Sequence, residues 1–370
     1  MPTSMKVNTY ILLSVILLIN ILSLSAGTLA ELKASAESGD SGSELELASN
    51  YIYGNGADKN IELGIRWLKR SSEHGNSYAT EALGFLYLSG KLVPCDPISA
   101  KQYLTVSSDK GSTRSQQALG DAYNYGLCFA EDPVEAAKWY RKAADSGDLK
   151  SMYQLGTFLI SGRGGVKDPV RGYELVLKAA QKNYPEAEMM IGAIYLKPDA
   201  YLPFKRDPKK ALAFIRLSAE HNYAKAQNIL GALYLYGDSN LKINKDYDEC
   251  LKWYRKAAEQ NDPEGLCSLG YLYENGYGVR KNAYEASIWY RKAALLGFDQ
   301  SEVRLGRLYI EGKGVPKDYV QAYAYLSIAA AANNKNAVDL LNYIEPKMTS
   351  SQKEKSMEMA RDIFEKLQKL

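Results

Sequence analysis

One feature limits what this chain can fold into: a sequence pattern that recurs every 36 to 39 residues over most of its length. A Leu-Gly or Ile-Gly pair marks the copies at Gly84, Gly120, Gly156, Gly192, Gly231, Gly270 and Gly306, with intervals of 36, 36, 36, 39, 39 and 36. Ala48 takes the same place 36 residues before Gly84, making eight copies. An Asx residue follows twelve positions after the marker at Asn60, Asp96, Asp132, Asp168, Asn282 and Asp318, and fifteen after it at Asp207 and Asp246. Copies this short cannot bury a hydrophobic face alone and must stack on their neighbours.

Local chemistry turns each copy into two helices and a turn. The first helix carries a small residue five before the marker (Ala79, Ser115, Ser151, Ala187, Ala226) and often Tyr three beyond it (Tyr51, Tyr87, Tyr123, Tyr195, Tyr234, Tyr273, Tyr309). At 100° per residue these share one side with the marker, the side expected to be buried. A mid-helix glycine costs up to about 1 kcal/mol in propensity, so its recurrence predicts close helix approach. Gly-x-Gly, as at Gly276–Gly278 and Gly312–Gly314, then stops the helix. The Asx residue is placed to cap the second helix, often with Pro behind it (Pro97, Pro133, Pro169, Pro208). Asp132 with Glu135, Asp246 with Glu249 and Asn282 with Glu285 have capping-box spacing. The second helix holds an aromatic anchor, Trp67, Tyr103, Trp139, Phe214, Trp253, Trp289 or Tyr325, with Leu175 as the exception. It ends at Gly or Asn in phase, at positions 75, 111, 147, 183, 222, 261, 297 and 333.

The stretch LGYLYENGYGVRKNAYEASIWYRKAALLG, ending at Gly297, resembles the Sel-1-like repeat, a relative of the tetratricopeptide repeat with a longer turn between its helices. The pattern covers about 300 residues. The resemblance implies an all-α fold, a right-handed α/α superhelical solenoid of about eight repeats that works by binding proteins. The fifth and sixth copies depart from it: Lys197-Pro198 replaces a turn glycine and Gly237 lacks a second one, which predicts irregular bulges around Lys197–Arg206 and Asp238–Lys245. The solenoid is expected over residues 31–347, headed by a lone second helix at Glu31–Ser38. Residues 348–370 read as a capping helix with Met359, Ala360, Ile363, Phe364 and Leu367 on its apolar face.

The first thirty residues read differently. Lys6 precedes an apolar run from Tyr10 to Leu24, and small residues follow to Ala30, the pattern of a secretory signal peptide cleaved after Ala30. An uncleaved N-terminal anchor is the alternative, although the apolar run is short for a span of about 20 residues. Export permits disulfides. Cys95 and Cys128 fall in the turns of neighbouring copies, where a bridge is open, whereas Cys250 and Cys267 read as buried free thiols. No Asn-x-Ser/Thr site occurs, which leans toward a bacterial periplasmic protein.

Little in the sequence points to catalysis. The 46 basic and 43 acidic residues are intermixed with no basic stripe, which argues against nucleic acid as the main partner. His74 and His221 occupy one phase, at the end of a second helix, and read as exposed helix-end residues without metal-ligand partners. Gly162–Gly165 lacks the Lys-Ser/Thr of a phosphate loop and reads as a turn. No catalytic residue, metal site or cofactor is assigned. Binding is expected on the side of the first helix that the repeat leaves free, the concave side in related folds. Its candidates are Phe85, Asp121, Tyr125, Tyr153, Met189, Tyr236, Tyr271 and Arg307. The function expected is an exported, non-catalytic protein-interaction scaffold of the bacterial envelope, with no membrane span once the signal is removed. An immunity protein that neutralises a toxin is the alternative, and a cell-wall or β-lactam hydrolase a distant third.

Overall fold

The computed structural model describes residues 28–368 apart from 199, 201, 203 and 204; the expected signal segment falls outside these but for its last three residues. Those three open the first helix: Thr28 caps α1 (Leu29–Glu37), and Glu31 returns a bond to the Thr28 N–H. Nineteen α-helices follow one another among the described residues, and an antiparallel bridge between Asp238 and Ile243 is their one strand-like pairing. The chain divides into two compact units, residues 1–182 and 183–370.

The first unit continues with α2 (Ser41–Tyr53), α3 (Ile61–Glu73), α4 (Ser77–Ser89), α5 (Pro97–Asp109), α6 (Thr113–Tyr125), α7 (Pro133–Asp145), α8 (Leu149–Ser161) and α9 (Pro169–Ala180). The second holds α10 (Pro185–Leu196), α11 (Pro208–Glu220), α12 (Ala224–Tyr236), α13 (Tyr247–Glu259), α14 (Pro263–Asn275), α15 (Ala283–Ala294), α16 (Asp299–Glu311), α17 (Tyr319–Ala331), α18 (Lys335–Ile344) and α19 (Ser350–Gln368). Within each unit a hairpin packs its two helices together and its second helix on the next first helix, so each unit is an all-α solenoid of helix–turn–helix repeats.

The marker glycines mark the closest approach. A Cβ on Gly84 would lie 2.7 Å from Leu104, on Gly120 2.6 Å from the Tyr140 ring, and on Gly270 2.7 Å from the Tyr290 ring. The first repeat inverts the arrangement. Ala48 stands at the marker, and Gly64 on the facing helix is the residue without room for a side chain: a Cβ there would lie 2.5 Å from Ile52 and 2.9 Å from the Ala48 carbonyl oxygen. A second constant is a backbone pin. The N–H of every second-helix Asx cap donates to the carbonyl three residues past the marker, from Asn60 to Tyr51 at 2.7 Å through Asp318 to Tyr309 at 3.0 Å.

That pin survives in both long turns. Asp207 reaches Tyr195 at 2.9 Å and Asp246 reaches Tyr234 at 2.8 Å, so the two helices of each hairpin keep this bond despite the longer turn. In the sixth repeat the bulge is ordered by reciprocal Asp238 and Ile243 backbone bonds at 2.8 Å, with Lys242 in the left-handed region. The expected caps form, but Asp132, Asp246 and Asn282 do so without reciprocal boxes; Glu135 turns to Lys138 and Glu249 to Lys252 and Trp253. In the second unit α19 lies against α17 and inserts Ile363 into the core. Phe364, expected on that apolar face, is 51% exposed, and Ser356 is buried instead.

The two histidines end their helices as expected, His74 exposed and His221 half-buried, but each also has a buried partner. His74 Nδ1 lies 2.8 Å from the carboxylate of Glu44, whose other oxygen is 2.7 Å from Arg70 Nε. His221 makes the same contact with Glu188 at 2.8 Å. Both glutamates are fully buried four residues before a marker, so each histidine serves as the partner of a buried carboxyl.

Candidate functional site

Side chains three before, one after and five after the marker form the first-helix face of each unit. In the first unit this face is largely consumed by packing. Phe85 is 3% exposed, with the Arg114 guanidinium 5.6 Å from its ring. Asp121 is 2% exposed and accepts from the Tyr140 hydroxyl at 2.8 Å and Lys150 Nζ at 2.9 Å. Neither residue offers the surface expected of it. The reason is the marker glycine: with no Cβ in the way, the Tyr140 ring crosses to the first helix and its hydroxyl meets the residue beside the marker. Tyr125 and Tyr153 remain half-buried, and burial followed by the Asp121 charge lifts the Tyr125 hydroxyl above its ordinary pKa.

In the second unit Met189 is half-buried against the cluster of Leu212, Ile215 and Leu230. The remaining three candidates stay accessible. Tyr236 is 63% exposed, Arg307 is exposed, and Tyr271 is half-buried with the Arg304 guanidinium 4.6 Å from its ring. Tyr277 lies 5.9 Å from Tyr271 and stacks at 4.8 Å on Tyr247, giving a ladder of tyrosines. Burial raises the Tyr271 hydroxyl, and Tyr236 and Tyr277 raise it further. Beneath them the Tyr290 hydroxyl donates to Glu274 at 2.6 Å, with Arg304 Nη1 3.7 Å from that carboxylate. Arg304 and Tyr277 were not singled out from the sequence; the signal was available in Tyr290, which replaces the aliphatic residue facing the marker in most other copies.

A larger, more apolar groove of about 630 Å³ opens on the other side of this unit, between α13 and α15, with Trp289, Tyr273, Leu266 and Leu295 on its walls and Arg255 and Lys292 at its edge.

The thiols divide as their positions suggest. Cys95 and Cys128 form a disulfide with Cα atoms 5.8 Å apart, and Cys128 stands at a left-handed position where other turns have glycine. Cys250 and Cys267 are free and buried, and desolvation pushes each thiol up to about 12, so neither is a ready nucleophile. Among the described residues, no three His, Cys, Asp or Glu side chains gather closely enough to hold a metal ion.

The Sel1 repeat model matches eight consecutive segments: 41–76, 77–112, 113–148, 149–184, 185–223, 224–262, 263–298 and 299–334. The chain belongs to the Sel1 repeat family. A Sel1 repeat protein from Oxalobacter formigenes is similar at 27% identity over 88% of this chain and 94% of that one, with a TM-score of 0.68. The protective antigen c5321 of uropathogenic Escherichia coli, described as displaying an SLR fold, is 27% identical over 91% and 79%, with a TM-score of 0.50. Immunity protein PA5088 from Pseudomonas aeruginosa covers 59% of this chain and 83% of its own at 19% identity and a TM-score of 0.41, a likeness confined to the fold. No curated protein matches significantly. Sel1 repeats commonly serve as protein–protein interaction scaffolds and are generally non-catalytic. Among the described residues, no helix of this Sel1 repeat protein is long and apolar enough to cross a membrane.

Proposed function

We propose that this Sel1 repeat protein is an exported, non-catalytic adaptor of the bacterial envelope that holds a partner protein on the first-helix face of its second unit. The observation that carries this reading is the set Tyr236, Tyr271 and Arg307. These side chains share one face and stay accessible, whereas Phe85 and Asp121, which hold the register of Tyr271 and Arg307 in the first unit, are buried. Tyrosine and arginine are the residue types that most often anchor protein interfaces. The Cys95–Cys128 bridge adds support for an oxidising compartment, where such bonds persist.

Site-specific photo-crosslinking in cells tests the reading. A photoreactive residue at Tyr236, Tyr271 or Arg307 is expected to give a discrete adduct with an envelope protein, and one at the exposed second-helix residue Ile98 none. Absence of an adduct from all three positions, or the same adducts from Ile98, refutes the assignment.

A further inference from the structure

The chemistry of the same face narrows the kind of partner, an inference that rests on the scaffold reading above. In the second unit, α16 and the start of α18 enclose a cleft of about 250 Å³ lined by Gln300, Val303, Arg304, Arg307, Asn334 and Asn336. Its polar lining consists of amides and guanidiniums, with no carboxylate. Three carboxylates of this unit's first helices are already engaged. Glu274 accepts from Tyr290 at 2.6 Å, Asp299 from the Asn334 amide at 2.7 Å, and Glu311 pairs with Lys313 at 2.6 Å. Arg307 is exposed and has no ion-pair partner among the described residues. Arg304, held against the Tyr271 ring, has already lost most of the freedom that binding would cost it.

We propose that this cleft receives a carboxylate side chain from an acidic segment of the partner protein, with Tyr271 and Tyr236 covering the apolar residue beside it. Guanidinium forks match carboxylates with two parallel hydrogen bonds, and tyrosine supplies contact area at little entropic cost. A polyanion such as single-stranded nucleic acid fits less well, because it needs a stripe of cations and the face offers two.

Fluorescence anisotropy on the full chain at low salt tests the idea with three labelled 12-residue peptides, alternating Glu-Leu, Gln-Leu and Lys-Leu, and a 12-nucleotide single strand. The Glu-Leu peptide is expected to bind at least tenfold more tightly than the others. Arg307→Glu should weaken it at least tenfold, while Arg255→Glu, at the apolar groove on the other side, leaves it unchanged. Equal binding of Glu-Leu and Gln-Leu, equal binding of the oligonucleotide, or loss on Arg255→Glu alone would overturn the proposal. A crosslink from Tyr271 that persists in an Arg307→Glu chain refutes the acidic partner and leaves the scaffold reading standing. Lack of any crosslink in the unmutated chain defeats the scaffold reading itself.

Discussion

The two units put one device to different use on their first-helix faces. In each, a second-helix tyrosine lies on a marker glycine and hands its hydroxyl to a carboxylate of the first helix, with a cation from the following first helix beside it. In the first unit the acceptor is Asp121, one residue past the marker, with Lys150 as the cation. In the second it is Glu274, four past the marker, with Arg304. Moving the acid almost one helical turn frees the position beside the marker. Tyr271 occupies it, and Arg304 stacks there. The proposed binding face is therefore what the internal polar network leaves uncovered, and the repeat register alone does not say which copy that will be.

The register four residues before the marker draws a second contrast, and it carries the largest expected effect. Glu44 in the first unit has His74 and Arg70, while Glu302 in the second, 2% exposed, has Ala332 where the histidine would stand. Burial, then the charge of Asp299, raises the Glu302 carboxyl to about 8. The folded state then holds a proton that the unfolded chain releases near pH 4.5, so stability is complete below that pH and falls as pH rises toward 8. The loss should be of order 3 kcal/mol between pH 5 and pH 8. Glu302→Gln should flatten the urea midpoint of the second unit across this window and raise it at pH 8. An unchanged pH profile would mean that Glu302 is ionised and paired.

Much of this was legible in advance, and what was not has a physical cause. Period, caps and turn glycines are set within a few residues, so the helices follow from spacing even through the three-residue insertions before Asp207 and Asp246, where Lys197 and Gly237 do not take the left-handed helix end of the other copies. The site depended on side chains reaching between helices. Phe85 and Asp121 sat in the right register, but Arg114 and Tyr140 arrive from 29 and 19 residues away and cover them. The partners of His74 and His221 were missed for the same reason, since Glu44 and Glu188 lie a repeat earlier. Tyr236 and Arg307 stay exposed, while Tyr271 is half-buried beneath Arg304.

Removing the cation from each network should separate the units by a smaller margin. Asp121 is almost wholly buried, so Lys150→Met strands a charge and should cost about 2 kcal/mol. Glu274 is partly exposed and its arginine stands off at 3.7 Å, so Arg304→Met should cost about 1 kcal/mol or less. Urea unfolding followed by hydrogen exchange within each unit reads both, and equal costs would contradict the asymmetry.

The finest test removes only the hydroxyl. Tyr140→Phe leaves one Asp121 oxygen without its donor where water has little access, for a cost of about 1.5 kcal/mol. Tyr290→Phe withdraws a bond of similar length, 2.6 Å against 2.8 Å, from an acid that solvent can reach, so about 0.5 kcal/mol is expected. Bond length alone would order the two the other way, which makes the pair decisive. A double cycle of Tyr140→Phe with Lys150→Met should show coupling of about 1 kcal/mol, because both donors serve one carboxylate. The corresponding cycle of Tyr290→Phe with Arg304→Met should be close to additive. If Tyr290→Phe proved the costlier change, solvent exposure would not be what divides the two faces, and the accessibility of Tyr271 would need another cause.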